Sequence, residues 1–264
     1  MKSSDYKKEA RKDLKGKWLR CVGITIIYFL IIFILGYIQG ILPLRLEFLI
    51  SILSIIIGIP LAFGLIASFF NIYNNKRTNV FDFISLGFSH FGKAWSIFFH
   101  TLLKMIVPII MIFCSLIIIA IALSSLIVSI VIKSSVMLTL ILSLIIFIAF
   151  GVYIAGLIIL IVKSYFYPLS YIIFAESPEL STREILSKSE TLMQNKRAKL
   201  FILQLSFIGW FILSFFTLGL GFLWLIPYIQ FSTFAFYKNV KEEKLSDKSR
   251  QDLFMNCTKI SRKK

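Results

Sequence analysis

Long runs of apolar residues, separated by short charged or polar segments, dominate this sequence. A helix of about 20 apolar residues is long enough to cross the hydrocarbon core of a bilayer, which is about 30 Å thick. Runs of this kind predict six membrane-spanning helices, at about residues 19–42, 48–70, 105–131, 136–162, 200–217 and 219–237. We therefore expect an all-α fold, a polytopic transmembrane helical bundle that occupies residues 19–237.

Residues 1–18 precede the first predicted span and are rich in lysine. Tyr6, Ala10, Leu14 and Trp18 recur every four residues, so they share one face of a helix. Such an amphipathic helix is expected to lie in the membrane interface on the cytoplasmic side, with its lysines toward anionic headgroups. A plain basic flank without a specific lipid role is the alternative, and it is the simpler interpretation.

An aromatic stripe marks the polar segment between the second and third predicted spans. Phe81, Ile84, Phe88, Phe91 and Trp95 follow one another at steps of three and four residues. This spacing predicts a second interfacial helix, with its aromatic face in the headgroup region of the cytoplasmic leaflet. A lid or docking surface for a hydrophobic ligand is the alternative function of the same stripe.

A charged amphipathic helix is expected over residues 181–199, just before the fifth span. Ser181 and Glu184 have the spacing of a capping box, in which each side chain accepts from the other residue's backbone N–H. Glu184 and Lys188 are placed to form an i,i+4 ion pair, and both are candidates for docking a partner. The predicted apolar stripe of this helix comprises Ile185, Leu186, Ser189, Leu192 and Met193.

Several strings in the C-terminal half carry a resemblance to a known family. They are ESPEL from Glu176, SKSETLM from Ser187, LSFIGW from Leu205, LGLGFLWLIPY from Leu218 and AFY from Ala235. On these strings the chain resembles a bacterial integral-membrane family known as domain of unknown function 975. Near the N-terminus, Ala10, Leu14, Gly16 and Trp18 look like the start of the same family. The resemblance implies a polytopic membrane protein and no particular activity.

The composition agrees with a membrane protein. Of the 264 residues, 58% are hydrophobic, and the mean hydropathy of +0.87 is far above that of a soluble domain. The formal net charge is +16, which in a soluble protein would suggest a nucleic-acid partner. In a membrane protein, basic loops instead orient the chain and contact anionic lipid headgroups. We therefore expect the lipid bilayer, and no nucleic acid, as the partner of these charges.

The positions of the basic residues predict the topology. With six spans, 26 of the 29 lysines and arginines fall on the side that holds both termini. The positive-inside rule then places both termini in the cytoplasm of a cell-membrane protein. Residues 238–264 form a charged cytoplasmic tail, which we expect to be disordered beyond about Lys244.

Candidate chemistry is sparse. His90 and His100 are the two histidines, and no zincin motif, P-loop or nucleophile elbow occurs. Cys21, Cys114 and Cys257 are far apart in sequence, so neither a disulfide nor a metal pair is indicated. No catalytic residue, metal site or cofactor is predicted, and we expect the protein not to be an enzyme.

Two functions are consistent with this pattern. The first is a non-enzymatic structural or accessory protein of the cell membrane, whose helix with Glu184 and Lys188 docks a membrane protein partner or lipid headgroups. The alternative is a transporter or lipid-handling protein with an inter-helix groove near Gln204, Tyr228 and Gln230. The predicted spans contain no carboxylate, which argues against a proton- or sodium-coupled mechanism.

Overall fold

A computed structural model of the protein describes residues 2–133 and 135–261. Side chains are described over the same ranges except at residues 44–45, 248 and 250–264, so Cys257 lies outside them. Within this part of the chain every regular element is a helix. The helices are α1 (Ser3–Leu14), α2 (Trp18–Ile41), α3 (Leu44–Tyr73), α4 (Asp82–Ser89), α5 (Phe91–Lys104), α6 (Ile106–Val131), α7 (Val136–Ser164), α8 (Ser170–Glu176), α9 (Thr182–Met193), α10 (Arg197–Leu205), α11 (Ile208–Phe216) and α12 (Phe222–Ser261).

Five helical stretches in the described residues are long and apolar enough to cross a membrane. They are Trp18–Ile41, Leu46–Tyr73, Ile106–Val131, Val136–Ser164 and Arg197–Phe216. They coincide with the first five predicted spans, and the fifth consists of α10 and α11 with a break between them. The predicted sixth span lies in α12, which is not among the five because its apolar start also holds polar residues and leads directly into charged ones.

The charged C-terminal segment is helical, so the expectation of disorder beyond Lys244 is wrong. α12 continues without interruption from its apolar start to Ser261. Two ion pairs hold the charged part of this helix against earlier elements: Lys241 with Glu176, at 2.6 Å, and Glu243 with Lys196. These contacts anchor the beginning of the charged segment, at Lys241 and Glu243, to parts of the chain that are distant in sequence.

The chain divides into two compact units. The first comprises Met1–Phe98 with Pro168–Lys264, and the second comprises Phe99–Tyr167. In the second unit α6 packs along α7, and Gly156 lets the two backbones approach closely because a Cβ there would lie 3.0 Å from the Ile112 side chain. Most of the large apolar side chains of α6 and α7 are exposed, as expected for helices that face lipid.

The core of the first unit is aromatic. Its largest fully buried side chains include Tyr6, Phe69, Phe83, Phe174, Phe231, Phe234 and Phe236. Tyr6 belongs to α1, which packs against α12, and its hydroxyl donates to the Asn239 side chain at 2.8 Å. The predicted shared face is confirmed for Tyr6, Ala10 and Leu14 by their burial. It is wrong for Trp18, because α1 ends at Leu14 and Trp18 begins α2. This face contacts α12, while Lys8 and Lys12 of α1, and Lys15 directly after it, remain exposed.

Two glycines allow α4 to lie directly on α3. A Cβ at Gly64 would be 1.9 Å from the carbonyl oxygen of Phe83, and a Cβ at Gly87 would be 2.4 Å from that of Pro60. Phe83 is buried by this contact, whereas Phe81 and Phe88 of the predicted aromatic stripe are exposed. The stripe is divided between α4 and α5 because the helix is interrupted at His90. Its exposed phenylalanines point away from α3, whereas the Nε1 of Trp95 donates to the backbone carbonyl of Ile56 on α3 at 3.2 Å.

Candidate functional site

A groove of about 480 Å³ opens in the first unit, with walls formed by α1, α11 and α12. It is lined by Lys7, Arg11, Trp18, Trp210, Leu213, Ser214, Thr217, Gly221, Trp224, Leu225 and Tyr228. Cationic, aromatic and aliphatic side chains thus share one open site, and among the described residues no aspartate or glutamate lines it.

The α1 wall of the groove carries two positive charges one helical turn apart. The ammonium of Lys7 donates to the backbone carbonyl of Ser206 at 2.7 Å and lies 4.2 Å above the ring of Phe207. The guanidinium of Arg11 lies 6.0 Å from the centre of the Tyr228 ring. Burial lowers the pKa of Lys7, and the neighbouring charge of Arg11 lowers it further. The two like charges are therefore held together without an acidic residue in the groove to offset them.

The opposite wall, from α11 and α12, is apolar and aromatic. Trp210 and Leu213 come from α11, and Trp224 and Leu225 come from α12. Both tryptophans and Leu213 are exposed, whereas Leu225 is buried. Tryptophan combines a large apolar surface with one N–H donor, which suits it to the boundary between lipid and water. This wall can cover a hydrocarbon chain while leaving the groove open at its side.

The tight turn between α11 and α12 sets the width of the groove. Leu218 and Gly219 have positive φ angles of 53° and 86°. The hydroxyl of Thr217 accepts from the backbone N–H of Gly221 at 3.0 Å. A Cβ at Gly221 would lie 2.5 Å from the hydroxyl oxygen of Ser214, so only glycine permits this close approach. The sequence prediction that the chain turns at Leu218, between residues 200–217 and 219–237, matches this geometry.

The structure places one of the three predicted groove residues in this site. The hydroxyl of Tyr228 donates to the backbone carbonyl of Lys7 at 3.4 Å, and its ring meets that of Phe207 edge-on. Neither Gln204 nor Gln230 lines the groove. Gln230 follows Tyr228 by two residues, which turns it by about 200° around the helix axis and away from the site.

Sequence reasoning missed the cationic and tryptophan residues of the groove. Lys7 and Arg11 were counted with the basic flank, although their spacing of four places them on one side of α1. Trp210 and Trp224 lie in apolar runs where nothing local distinguishes them from other membrane-facing residues. Only the packing of α1 beside α10 and α12 brings these four side chains to one place.

The predicted docking helix has the expected start and a buried stripe. The hydroxyl of Ser181 accepts from the backbone N–H of Glu184 at 3.3 Å, and the Glu184 carboxylate accepts from the Ser181 N–H at 2.8 Å. Hydrogen bonds from the Ser181 hydroxyl and N–H lower the pKa of Glu184. This carboxylate is thus engaged by the helix cap, and the structure gives it no ion pair with Lys188. The buried residues of α9 are Ile185, Leu186, Ser189, Leu192 and Met193, as predicted.

In the described part of the chain, no three residues among His, Cys, Asp and Glu lie close enough to hold a metal ion. His90 packs edge-on against Phe63 and Phe174, with its Nδ1 2.9 Å from the Ser89 hydroxyl. Cys21 is buried in the first unit. The groove between α1, α11 and α12 is therefore the best candidate for a functional site among the described residues.

Comparison with known proteins places the chain in a family. A family model described as a protein of unknown function, DUF975, matches residues 1–244. No curated protein and no solved structure shows significant similarity to the chain. The matched range includes both the strings of the C-terminal half and the N-terminal residues that suggested this resemblance. The chain belongs to the DUF975 family of proteins of unknown function.

Proposed function

We propose that the protein is a non-enzymatic, lipid-handling protein of the cell membrane that holds an amphipathic lipid in the groove between α1, α11 and α12. The observation that supports this proposal is the division of the groove into a cationic wall and an aromatic and aliphatic wall. A lipid has the same division, with a polar headgroup and hydrocarbon chains. Of the two functions considered from the sequence, the groove favours lipid handling.

Docking of a partner protein on α9 is the weaker proposal. The apolar stripe of α9 is buried inside the protein, so the outward surface retains polar side chains such as Glu184 and Lys188. Strong protein interfaces are usually centred on buried aromatic or apolar anchors. Docking of a partner on α9 would therefore depend on the attraction between charged side chains alone.

Our proposal includes six membrane crossings and cytoplasmic termini. The apolar start of α12 would form the sixth crossing, and the exposed lysines of α1 would face anionic headgroups at the cytoplasmic surface. Reporter fusions at the N- and C-termini test this arrangement, because an odd number of crossings would place the two reporters on opposite sides. A cytoplasmic signal from both fusions is expected, and opposite signals would overturn the six-span topology.

Native mass spectrometry of the purified protein tests the lipid site. Leu213 and Ile212 are adjacent on α11 and are equally exposed, at 53%, but only Leu213 lines the groove. Leu213→Trp should fill the groove and remove bound lipid, while Ile212→Trp should retain it. Equal lipid retention in the two variants, or no lipid on the wild-type protein, would overturn the proposal.

A further inference from the structure

We infer that the groove selects acidic phospholipids and that Arg11 recognises the phosphate, an inference that rests on the lipid site proposed above. The first reason is charge. Lys7 and Arg11 line the groove, no carboxylate does, and a lipid headgroup with net negative charge would neutralise this pair. The inference names one occupant, a phospholipid such as phosphatidylglycerol, whose headgroup carries no compensating amine.

The acidic residues of α1 are directed elsewhere. Glu9 and Asp13 lie one turn apart. The charges of Asp13, and of Lys238 and Glu242 on α12, act on the Glu9 carboxyl group. Burial raises the pKa of Glu9, with a further rise from Asp13. Asp5 accepts from the backbone N–H of Lys2, and neither Glu9 nor Asp13 lines the groove, whereas the cations Lys7 and Arg11 do. An anion in the groove would therefore be attracted by Lys7 and Arg11, and no neighbouring carboxylate cancels this Coulomb attraction.

The two cations have different roles. Lys7 already donates to the Ser206 carbonyl and covers the Phe207 ring, so it positions α1 against the break between α10 and α11. Arg11 is exposed, and its guanidinium lies over the face of Tyr228. A planar guanidinium held against an aromatic ring presents two parallel N–H donors, which match two oxygens of a phosphate. Arg11 is therefore the recognition residue, and Lys7 is a positioning residue.

The groove is less suited to a zwitterionic headgroup. A choline or ethanolamine group would find aromatic faces at Trp18, Trp210 and Trp224, but no carboxylate among the described lining residues. Lys7 and Arg11 already place two positive charges in the groove, and a third cation beside them would add repulsion. Phosphatidylcholine should therefore bind less tightly than phosphatidylglycerol, although both present the same hydrocarbon chains to Trp224.

The test is lipid competition on the full-length protein in nanodiscs made from equal amounts of phosphatidylglycerol and phosphatidylcholine. Lipids retained after transfer to detergent are identified by native mass spectrometry. The wild type should retain phosphatidylglycerol preferentially. Arg11→Gln should reduce this preference about tenfold, the scale of a lost charge-assisted hydrogen bond. Lys12→Gln is the matched control, because it removes one charge from an exposed position of the same helix that does not line the groove.

The outcomes separate this inference from the proposal on which it rests. Equal retention of both lipids, with loss of both in Leu213→Trp, would overturn the headgroup selection and leave the lipid site standing. Equal effects of Arg11→Gln and Lys12→Gln would overturn the role of Arg11 and indicate a general surface-charge effect. Arg11→Lys keeps the charge but loses the paired N–H donors, so it should retain part of the preference that Arg11→Gln loses. Displacement by excess inorganic phosphate would contradict a lipid occupant, because free phosphate has no chains to place on the apolar wall.

Discussion

The hydroxyl of Tyr237 donates a hydrogen bond of 2.5 Å to the carboxylate of Glu176, which lies 61 residues earlier in the chain. The other carboxylate oxygen accepts from the ammonium of Lys241 at 2.6 Å. Glu176 is the last residue of α8, and its two partners lie one turn apart on α12. Burial acts to raise the pKa of Glu176, but the hydrogen bonds from Lys241 and Tyr237 outweigh it and hold the pKa below its usual value. This carboxylate therefore joins α8 to α12 in its ionised form.

Glu176→Gln should lower the thermal denaturation midpoint in detergent at pH 7 by several degrees. The expected loss is about 1 kcal/mol, since the site is partly exposed to solvent. A carboxylate with a lowered pKa stabilises the fold above its unfolded pKa of 4.5, and this contribution is lost as the pH falls below that value. The wild type should therefore lose more stability than the variant as the pH falls from about 5 to below 4.

Glu179→Gln provides the control for this experiment, because Glu179 is an exposed carboxylate outside the Tyr237 and Lys241 contacts. It should leave the midpoint and its pH dependence close to those of the wild type. Identical pH profiles for wild type and Glu176→Gln would show that the ionised carboxylate does not stabilise the contact with α12.

Gly64→Ala should destabilise the first unit strongly. The new methyl group would lie 1.9 Å from the carbonyl oxygen of Phe83 and 2.9 Å from the backbone nitrogen of Gly87. Both are backbone atoms, so α4 must move away from α3, at a cost of about 1–3 kcal/mol or more. Thermal denaturation with circular dichroism would measure the loss.

Gly58→Ala is the matched control on the same helix, since an added methyl there meets no atom within 4 Å. Alanine is the better helix former, so this variant should be as stable as the wild type or slightly more so. Equal stability of the two variants would mean that α4 does not rest on α3 at Gly64.

Ser181→Ala should fray the start of α9. The substitution removes the hydroxyl that accepts from the Glu184 N–H, and N-cap losses of this kind cost about 1 kcal/mol. Ser187→Ala is the control, because Ser187 is an exposed residue within the same helix. Hydrogen exchange of the first-turn amides should rise in Ser181→Ala alone. An equal rise in both variants would indicate that the cap contributes little.

The features that sequence predicted correctly are those fixed by neighbours in the chain. The capping box of Ser181 and Glu184 is set by a spacing of three residues, and the buried face of α9 follows from helical periodicity. The groove has a different origin, because Tyr228 and Lys7 are 221 residues apart and meet only when α1 packs beside α12. The expected membrane depth of Gln230 made it a candidate for the groove. Its side chain lies on another side of α12, so it is not part of the site. Periodicity could place Lys7 and Arg11 on one side of a helix but could not identify the helix they face.

The packing of α1 on α12 can be tested at Tyr6. Burial, with smaller contributions from Glu243 and Glu9, raises the pKa of Tyr6 to about 12, so its hydroxyl is protonated and donates to Asn239 at neutral pH. Tyr6→Phe keeps the ring contact with Phe236 but loses this hydrogen bond, which should cost about 1 kcal/mol. Tyr6→Ala also removes the buried ring and should cost about 3–5 kcal/mol.

Limited trypsin digestion can report this contact directly, because α1 contains three lysines and one arginine. Cleavage within α1 should accelerate slightly in Tyr6→Phe and strongly in Tyr6→Ala, as the helix separates from α12. Tyr37→Phe, at a side chain exposed on α2, should digest like the wild type. The same separation would remove Lys7 and Arg11 from the groove, so lipid retention should fall in step with trypsin resistance. Rapid cleavage of Tyr6→Ala with unchanged lipid retention would show that α1 is not a wall of the lipid site.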